Sequence, residues 1–254
     1  MLQLEGIGKY FGGLPALTDV SFAVPRGKLT ALIGPNGAGK STMLNCITGV
    51  LEPDSGSILF QGKEIVGLPA YRICRLGISR TFQNLRLFPR LSVLDNVLAG
   101  MTREGGDSML MAMLRLPYLR HRERQLKLRG LEALDRFQLS DKTNWPAGVL
   151  AYGDKKRVEL ARATVGRPEL LLLDEPVAGL NSRETRAIGE QLRLLRRSGH
   201  TILLVEHDMN LVMEIADQVV VLDSGRCIAT GTPDEIQLNP LVLEAYLGRI
   251  EATA

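Results

Sequence analysis

Apolar and polar residues alternate along three early segments, LQLEGIGKYF (2–11), DVSFAVPRG (19–27) and KLTALIG (28–34), with Gly-Gly and Pro punctuating them. A two-residue period broken this way predicts strands joined by tight turns, and SGSILFQGKEI around Ile58 continues it. An antiparallel sheet is therefore expected in the N-terminal part. Lys40 to Val50 changes to a helical pattern and stops before the turn-rich EPDSG. Farther along, ELLLLDEP and HTILLVEHD are too uniformly apolar for half-exposed strands, and helix-like stretches such as SRETRAIGEQLRLLRRS separate them. That order predicts a buried parallel sheet of α/β type. From about Leu87 to Arg162 the chain is rich in Leu, Met and Arg without strand alternation. We expect a mostly helical subdomain there, inserted into a single domain spanning 1–254.

Composition adds few constraints. An apolar fraction of 45% over 254 residues is ample for a buried core. The formal charge of +3 comes from acids and bases mixed along the chain, so nucleic-acid binding is permitted but not indicated, and none is expected. Cysteines at 46, 74 and 227 are far apart and in no metal-binding spacing, which argues for a reducing compartment. The start MLQLEGIGKYF lacks the layout of a signal peptide, and no apolar run approaches the ~20 residues that span a bilayer. A membrane role is expected to come through a partner.

Chemistry concentrates in LIGPNGAGKSTMLN, where Gly34, Gly39, Lys40 and Ser41 match G-x-x-x-x-G-K-[ST] between a strand and a helix. Glycines let backbone N–H groups turn inward around phosphates, and the helix starting near Lys40 points its positive end at them. Lys40 adds a mobile point charge and the Ser41 hydroxyl can ligate Mg²⁺. The loop, with Pro35, Asn36, Gly37, Ala38 and Thr42, is read as the site of a nucleoside triphosphate, which the resemblance below makes ATP. In LLLLDEP, Asp174 and Glu175 leave the C-terminal end of a buried strand, where α/β folds present ligand crevices. One acid can hold a metal while the other orients water.

These motifs, with TFQNLRLF, LAYGDKKRVELARA, AGLN and LLVEHD in that order, resemble the nucleotide-binding subunits of ATP-binding cassette (ABC) transporters over essentially the whole chain. The resemblance implies an α/β P-loop ATPase core with an N-terminal antiparallel subdomain and an inserted helical one, about 87–162. It implies that Phe11 stacks on adenine, that Ser41, Gln83 and Asp174 serve Mg²⁺, and that Gln83 reports to the membrane partner. Glu175 resembles the general base that polarises the attacking water, and His207 the residue that bonds the γ-phosphate. In this family the signature segment of one subunit covers the ATP of another.

Here that segment departs from the usual L-S-G-G-Q, reading Leu150, Ala151, Tyr152, Gly153 and Asp154. Ala151 lacks the serine hydroxyl. Asp154 puts a carboxylate where glutamine is usual, although it could cap the following helix. LAYG resembles the subunits that power import of branched-chain and other hydrophobic amino acids, as do YFGGLPAL, FQNLRLFPRLSVLDNVLAG, EPVAGLNSRET, VEHDMNLVMEIADQVVVLDSG and NPLVLEAYLG. The resemblance implies a second ABC ATPase subunit, the same chain or a different one, two transmembrane permease subunits, and indirectly a substrate-binding protein. It implies a peripheral position on the cytoplasmic face of the inner membrane. Other cargoes (urea, lipopolysaccharide) and a soluble, non-transport ABC ATPase stay open alternatives at this point.

Two surfaces are also singled out. Met113 to Gly130 carries six arginines and lysines against one acid, Glu123, a solvated face or a surface for anionic headgroups or the permease. Leu85, Leu87 and Phe88 fall where the family's groove for the permease begins.

Overall fold

A computed structural model describes residues 1–81, 85–101 and 117–247. The chain runs β1 (Leu2–Phe11), β2 (Leu14–Val24), β3 (Leu29–Ile33), α1 (Lys40–Ile47), β4 (Ser55–Phe60), β5 (Lys63–Glu64), α2 (Ala70–Leu76) and β6 (Ile78–Arg80). It continues through α3 (Val93–Leu98), α4 (Pro117–Arg136), α5 (Tyr152–Thr164), β7 (Leu170–Asp174), α6 (Ser182–Arg197) and β8 (Thr201–Val205). Last come α7 (Met209–Ile215), β9 (Gln218–Asp223), β10 (Arg226–Gly231), α8 (Pro233–Gln237) and α9 (Pro240–Leu247). Contacts divide these residues into two compact units.

The first unit comprises Met1–Arg80, Glu169–Glu175 and Leu192–Ala254. Its smaller sheet has the antiparallel order β2-β1-β4-β5. Leu2 and Leu4 face inward from β1, and Val20, Phe22 and Val24 from β2, as the alternation requires, and a register irregularity between Leu4 and Ile7 shifts the period so that Ile7 is buried too. Gly12 and Gly13, both at positive φ, close the β1–β2 turn. A two-residue loop of that kind matches the right-handed twist of its strands and leaves Phe11 opposite Leu14 at the tip.

The larger sheet has the order β10-β9-β3-β8-β7-β6. All its pairings are parallel except β10 with β9. KLTALIG therefore belongs to this sheet and not to the N-terminal antiparallel one. Its alternation misleads because Thr30 is fully buried along with Leu29, Ala31, Leu32 and Ile33, so the polar position faces no solvent. Leu170 to Leu173 are likewise fully buried, each contributing roughly 2 kcal/mol of transfer free energy. One apolar cluster joins the smaller sheet, α1 and one face of the parallel sheet; a second joins β3 and β9 to α7, α8 and α9.

The second unit comprises Thr81–Pro168 and Pro176–Gln191. Val93, Val97, Leu134, Phe137, Val158 and Ala161 of its helical part are buried. Gly130 lets α4 approach α3 closely: a Cβ there would stand 2.8 Å from Leu94 and 2.9 Å from Leu98. Asn96 is buried and clamps the preceding segment, accepting from the Phe88 N–H at 2.8 Å and donating to the carbonyls of Phe88 at 3.0 Å and Ser92 at 2.9 Å.

Candidate functional site

Three adjacent strands, β3, β8 and β7, end at Gly34, Glu206–His207 and Asp174–Glu175. Those C-terminal edges carry the sequence motifs, because parallel pairing brings like ends of strands together. Gly34 closes β3 where no side chain fits: a Cβ would stand 2.0 Å from the Leu222 carbonyl. Pro35 and Asn36 lead into Gly37 at φ 83°, buried Ala38, and Gly39 at φ 99°, which is the N-cap of α1. Ser41 and Thr42 lie in the first turn. No side chain caps α1, and its first turn holds no acid. The orphan N–H groups and the positive helix end are thus left for an anion.

Lys40 is 8% exposed, and its ammonium donates to the carbonyls of Gly34 at 2.7 Å and Pro35 at 3.0 Å. The expectation of a mobile charge is corrected accordingly: the loop's own carbonyls pin it. Burial holds its pKa below the ordinary 10.5, while the nearby charges of Glu175 and Asp174 pull the other way. The two acids and the lysine are thereby brought together.

Asp174 is buried at the end of β7, and Arg80 Nη2 donates to its Oδ2 at 2.8 Å. Arg80 Nη1 also donates to Asn45 Oδ1 at 2.7 Å and Thr48 Oγ1 at 3.2 Å on α1. Sequence reading missed this residue. Its only signal is a lone cation at the end of a short strand, and a pattern of periods cannot tell which way such a side chain turns. Glu175 sits at φ 49° with its N–H donating to the Val205 carbonyl at 2.9 Å. For a residue other than glycine, such backbone costs of order 1 kcal/mol, and it clusters at functional sites.

His207 is 62% exposed, its N–H held by the fully buried Glu206 carboxylate at 3.0 Å, and Asp208 then caps α7 through the Leu211 N–H. The imidazole thus stands beyond the end of β8 on a fixed backbone. Phe11 is 47% exposed rather than core, with the Lys9 ammonium 5.8 Å from its ring. Gln83 lies outside the described residues, as do the methionines at 109, 111 and 113. Leu85 and Leu87 are half-buried and Phe88 is exposed.

The signature segment is in the second unit. Ala151 is the N-cap of α5 and makes no side-chain cap. Asp154 does not take the capping role open to it: it lies three residues in, where it accepts from Lys142 Nζ at 2.6 Å and faces Arg157 at 3.7 Å. In the first turn its charge still favours the helix dipole. Tyr152 is half exposed, and its hydroxyl donates to the Ala178 carbonyl at 3.3 Å, beside Gly179 of AGLN. Gly153 is buried against Glu184, whose Oε1 would lie 2.4 Å from an added Cβ. Asn181 caps α6 by accepting from the N–H groups of Arg183 and Glu184, and Glu184 answers from its side chain.

A phosphate-binding loop, a buried acid followed by a strained one, and a histidine on the neighbouring strand end define a P-loop ATPase. The family model for ABC transporters matches residues 17–178, and one described as branched-chain amino acid ATP-binding cassette transporter matches 226–252. The high-affinity branched-chain amino acid transport ATP-binding protein BraF of Pseudomonas aeruginosa is 42% identical over 249 residues, 98% of either chain. Among solved structures, the ADP conformation of MJ1267, an ATP-binding cassette of an ABC transporter, superposes with a TM-score of 0.84 at 34% identity, covering 98% of both chains. The dimeric post-hydrolysis state of MJ0796 with ADP and Pi gives 0.78 at 26% identity, covering 92% of this chain and 99% of that one. This chain belongs to the ABC transporter family of ATP-binding subunits, and ATP hydrolysis is its activity. Among the described residues, no helix is long and apolar enough to cross a membrane.

Proposed function

We propose that this subunit powers uptake of branched-chain or other hydrophobic amino acids, working in a pair of ATPase subunits joined to two transmembrane permeases on the cytoplasmic face of the membrane. The observation that carries the cargo is the family match over 226–252, outside the ATPase motifs, beside an end-to-end likeness to BraF. Cargo selection belongs to the permeases and a substrate-binding protein.

In this reading the N–H groups of residues 36–42 and the α1 dipole bind the nucleotide phosphates. Lys40 exchanges its bonds to Gly34 and Pro35 for phosphoryl oxygens, so binding opens a contact already aimed at the site. Phe11, exposed at a hairpin tip, offers its face to adenine. Ser41, Asp174 and Gln83 would hold Mg²⁺; oxygen donors this few suit a cation that keeps waters and phosphate ligands. That ion supplies charge neutralisation on the β- and γ-phosphates. Glu175, fixed by its strained backbone, orients and deprotonates the attacking water, and His207 donates to the γ-phosphoryl group. Ala151 to Asp154 act on the partner subunit's nucleotide through the N-terminal end of α5. The helices α3 to α5 support the reading of about 87–162 as an inserted helical subdomain of one ATPase domain.

The test is assembly. Tagged chain, purified from gently solubilised membranes, is expected to bring down two permeases and an ATPase partner, and hydrolysis by that complex in liposomes is expected to rise with a loaded amino-acid-binding protein. Permease-free recovery with ribosomal or DNA-associated proteins refutes transport, and stimulation by another solute refutes the cargo.

A further inference from the structure

Arg80 ends β6, an edge strand of the larger sheet, in register with Leu172 of β7. From there its guanidinium reaches two elements that each carry part of the nucleotide site. Nη2 donates to Asp174 Oδ2 at 2.8 Å, at the end of β7. Nη1 donates to Asn45 Oδ1 at 2.7 Å and Thr48 Oγ1 at 3.2 Å, at the C-terminal end of α1. The Thr48 hydroxyl gives its own proton to the Leu44 carbonyl at 2.8 Å, so it meets Arg80 as an acceptor. Two of the three acceptors thus hold the cation without Asp174. The same helix begins with Lys40 and Ser41, so the element that grips Arg80 at one end opens on the phosphate loop at the other.

The consequence is electrostatic. The Arg80 and Asp174 side chains are 9% and 7% exposed, so solvent ions screen their attraction poorly. Any cation that Asp174 ligates is a close neighbour of that guanidinium. Even at the dielectric of water, a unit charge ~4 Å from a dication disfavours it by roughly tenfold or more, and the effect grows as solvent is excluded. Lys40, 8% exposed at the start of α1, adds a second cation at the same sheet edge. Nucleotide phosphates bring the negative charge that offsets both.

We propose that Arg80 is a positioning residue that guards the cation site: it holds the Asp174 carboxylate toward α1 and repels a divalent cation from it until nucleotide phosphate arrives, so that the metal enters with the nucleotide and not before it. This rests on the reading of Asp174 as a cation ligand. A merely structural ion pair makes the opposite forecast, because loosening it would spoil the site and weaken metal binding.

The experiment titrates Mn²⁺ alone, followed by its electron paramagnetic resonance signal, into nucleotide-free wild type, R80M, R80K and R80M/D174N, and repeats the titrations with ADP present. Wild type should hold Mn²⁺ weakly alone and more tightly with ADP. R80M should bind Mn²⁺ alone roughly tenfold more tightly than wild type or better, and the ion should raise the Tm of R80M by more than that of wild type. R80K keeps the charge without the planar fork that spans Asp174 and α1, and should bind Mn²⁺ alone as weakly as wild type. R80M/D174N should lose the gain and, with ADP, bind Mn²⁺ more weakly than wild type. Mn²⁺ affinity in R80M at or below wild type overturns the proposal, as does R80K behaving like R80M, or wild type binding Mn²⁺ equally with and without ADP. If R80M loses native circular dichroism, R80Q replaces it under the same criteria; loss in both makes the charge a determinant of folding and overturns the guard. R80M/D174N matching R80M alone, or wild type with ADP, removes the ligand reading and the guard with it.

Discussion

Arg80→Met tests the ion pair that sequence reading missed. An exposed pair would contribute ~1 kcal/mol or less, but the Arg80 and Asp174 side chains are 9% and 7% exposed with a 2.8 Å bond between them. The buried class applies, and removing one partner then costs about 3–5 kcal/mol, because the other charge stays behind without compensation. The bonds to Asn45 and Thr48 disappear in the same step. At roughly 2–4 °C per kcal/mol for a chain of this size, Tm should fall by roughly 6–20 °C. Asp174→Asn alone should also destabilise, leaving a buried guanidinium on a neutral partner. The double variant R80M/D174N removes both charges and is expected to recover at least ~1 kcal/mol relative to the sum of the single changes. Thermal and urea unfolding of the nucleotide-free protein in EDTA, followed by circular dichroism, measures all three. Strict additivity, or an R80M protein within ~1 kcal/mol of wild type, refutes the reasoning.

Two further outcomes follow from local electrostatics. Burial pushes the Cys46 thiol up to about 11, and it is 4% exposed on α1; iodoacetamide at pH 8 should modify the half-buried Cys74 and Cys227 before it, and rapid labelling of Cys46 in folded protein contradicts this. Asp54 is held below its ordinary 3.8 by the Lys9 ammonium, then by the Tyr10 N–H. Its stabilising contribution is present above the ordinary carboxylate pKa and is lost as pH falls through the lower folded value. Asp54→Asn should therefore lower Tm at pH 6, with the difference from wild type closing in strong acid; a pH-independent difference goes against the pairing.

The motifs were legible because each combines a residue type with a spacing that chemistry demands. Gly34, Gly39, Lys40 and Ser41 need no partner in sequence to be recognised, and a run such as LLLLDEP announces burial by itself. Harder to read was anything fixed by distant contacts. KLTALIG alternates like a half-exposed strand, yet Thr30 is buried because β8 and β9 flank it on both sides. Lys40 looked mobile because the carbonyls that hold it carry no side-chain signal. Asp154 looked like a cap because the position of a helix start is uncertain by a residue or two in sequence, and Lys142, its partner, lies twelve residues away. Arg80 was silent for the same reason: its carboxylate partner, Asp174, lies 94 residues along the chain.

Glu175→Gln tests the central claim most directly. The amide keeps the size and hydrogen-bonding shape of the side chain but cannot take a proton from water, and general-base catalysis contributes typically 10²–10⁴-fold. ATP affinity by equilibrium binding and hydrolysis by phosphate release should be measured on the same preparations. We expect affinity within about threefold of wild type, turnover reduced by roughly a hundredfold or more, and an ATP-dependent dimer that persists. Hydrolysis at the wild-type rate in E175Q would contradict the account of this site.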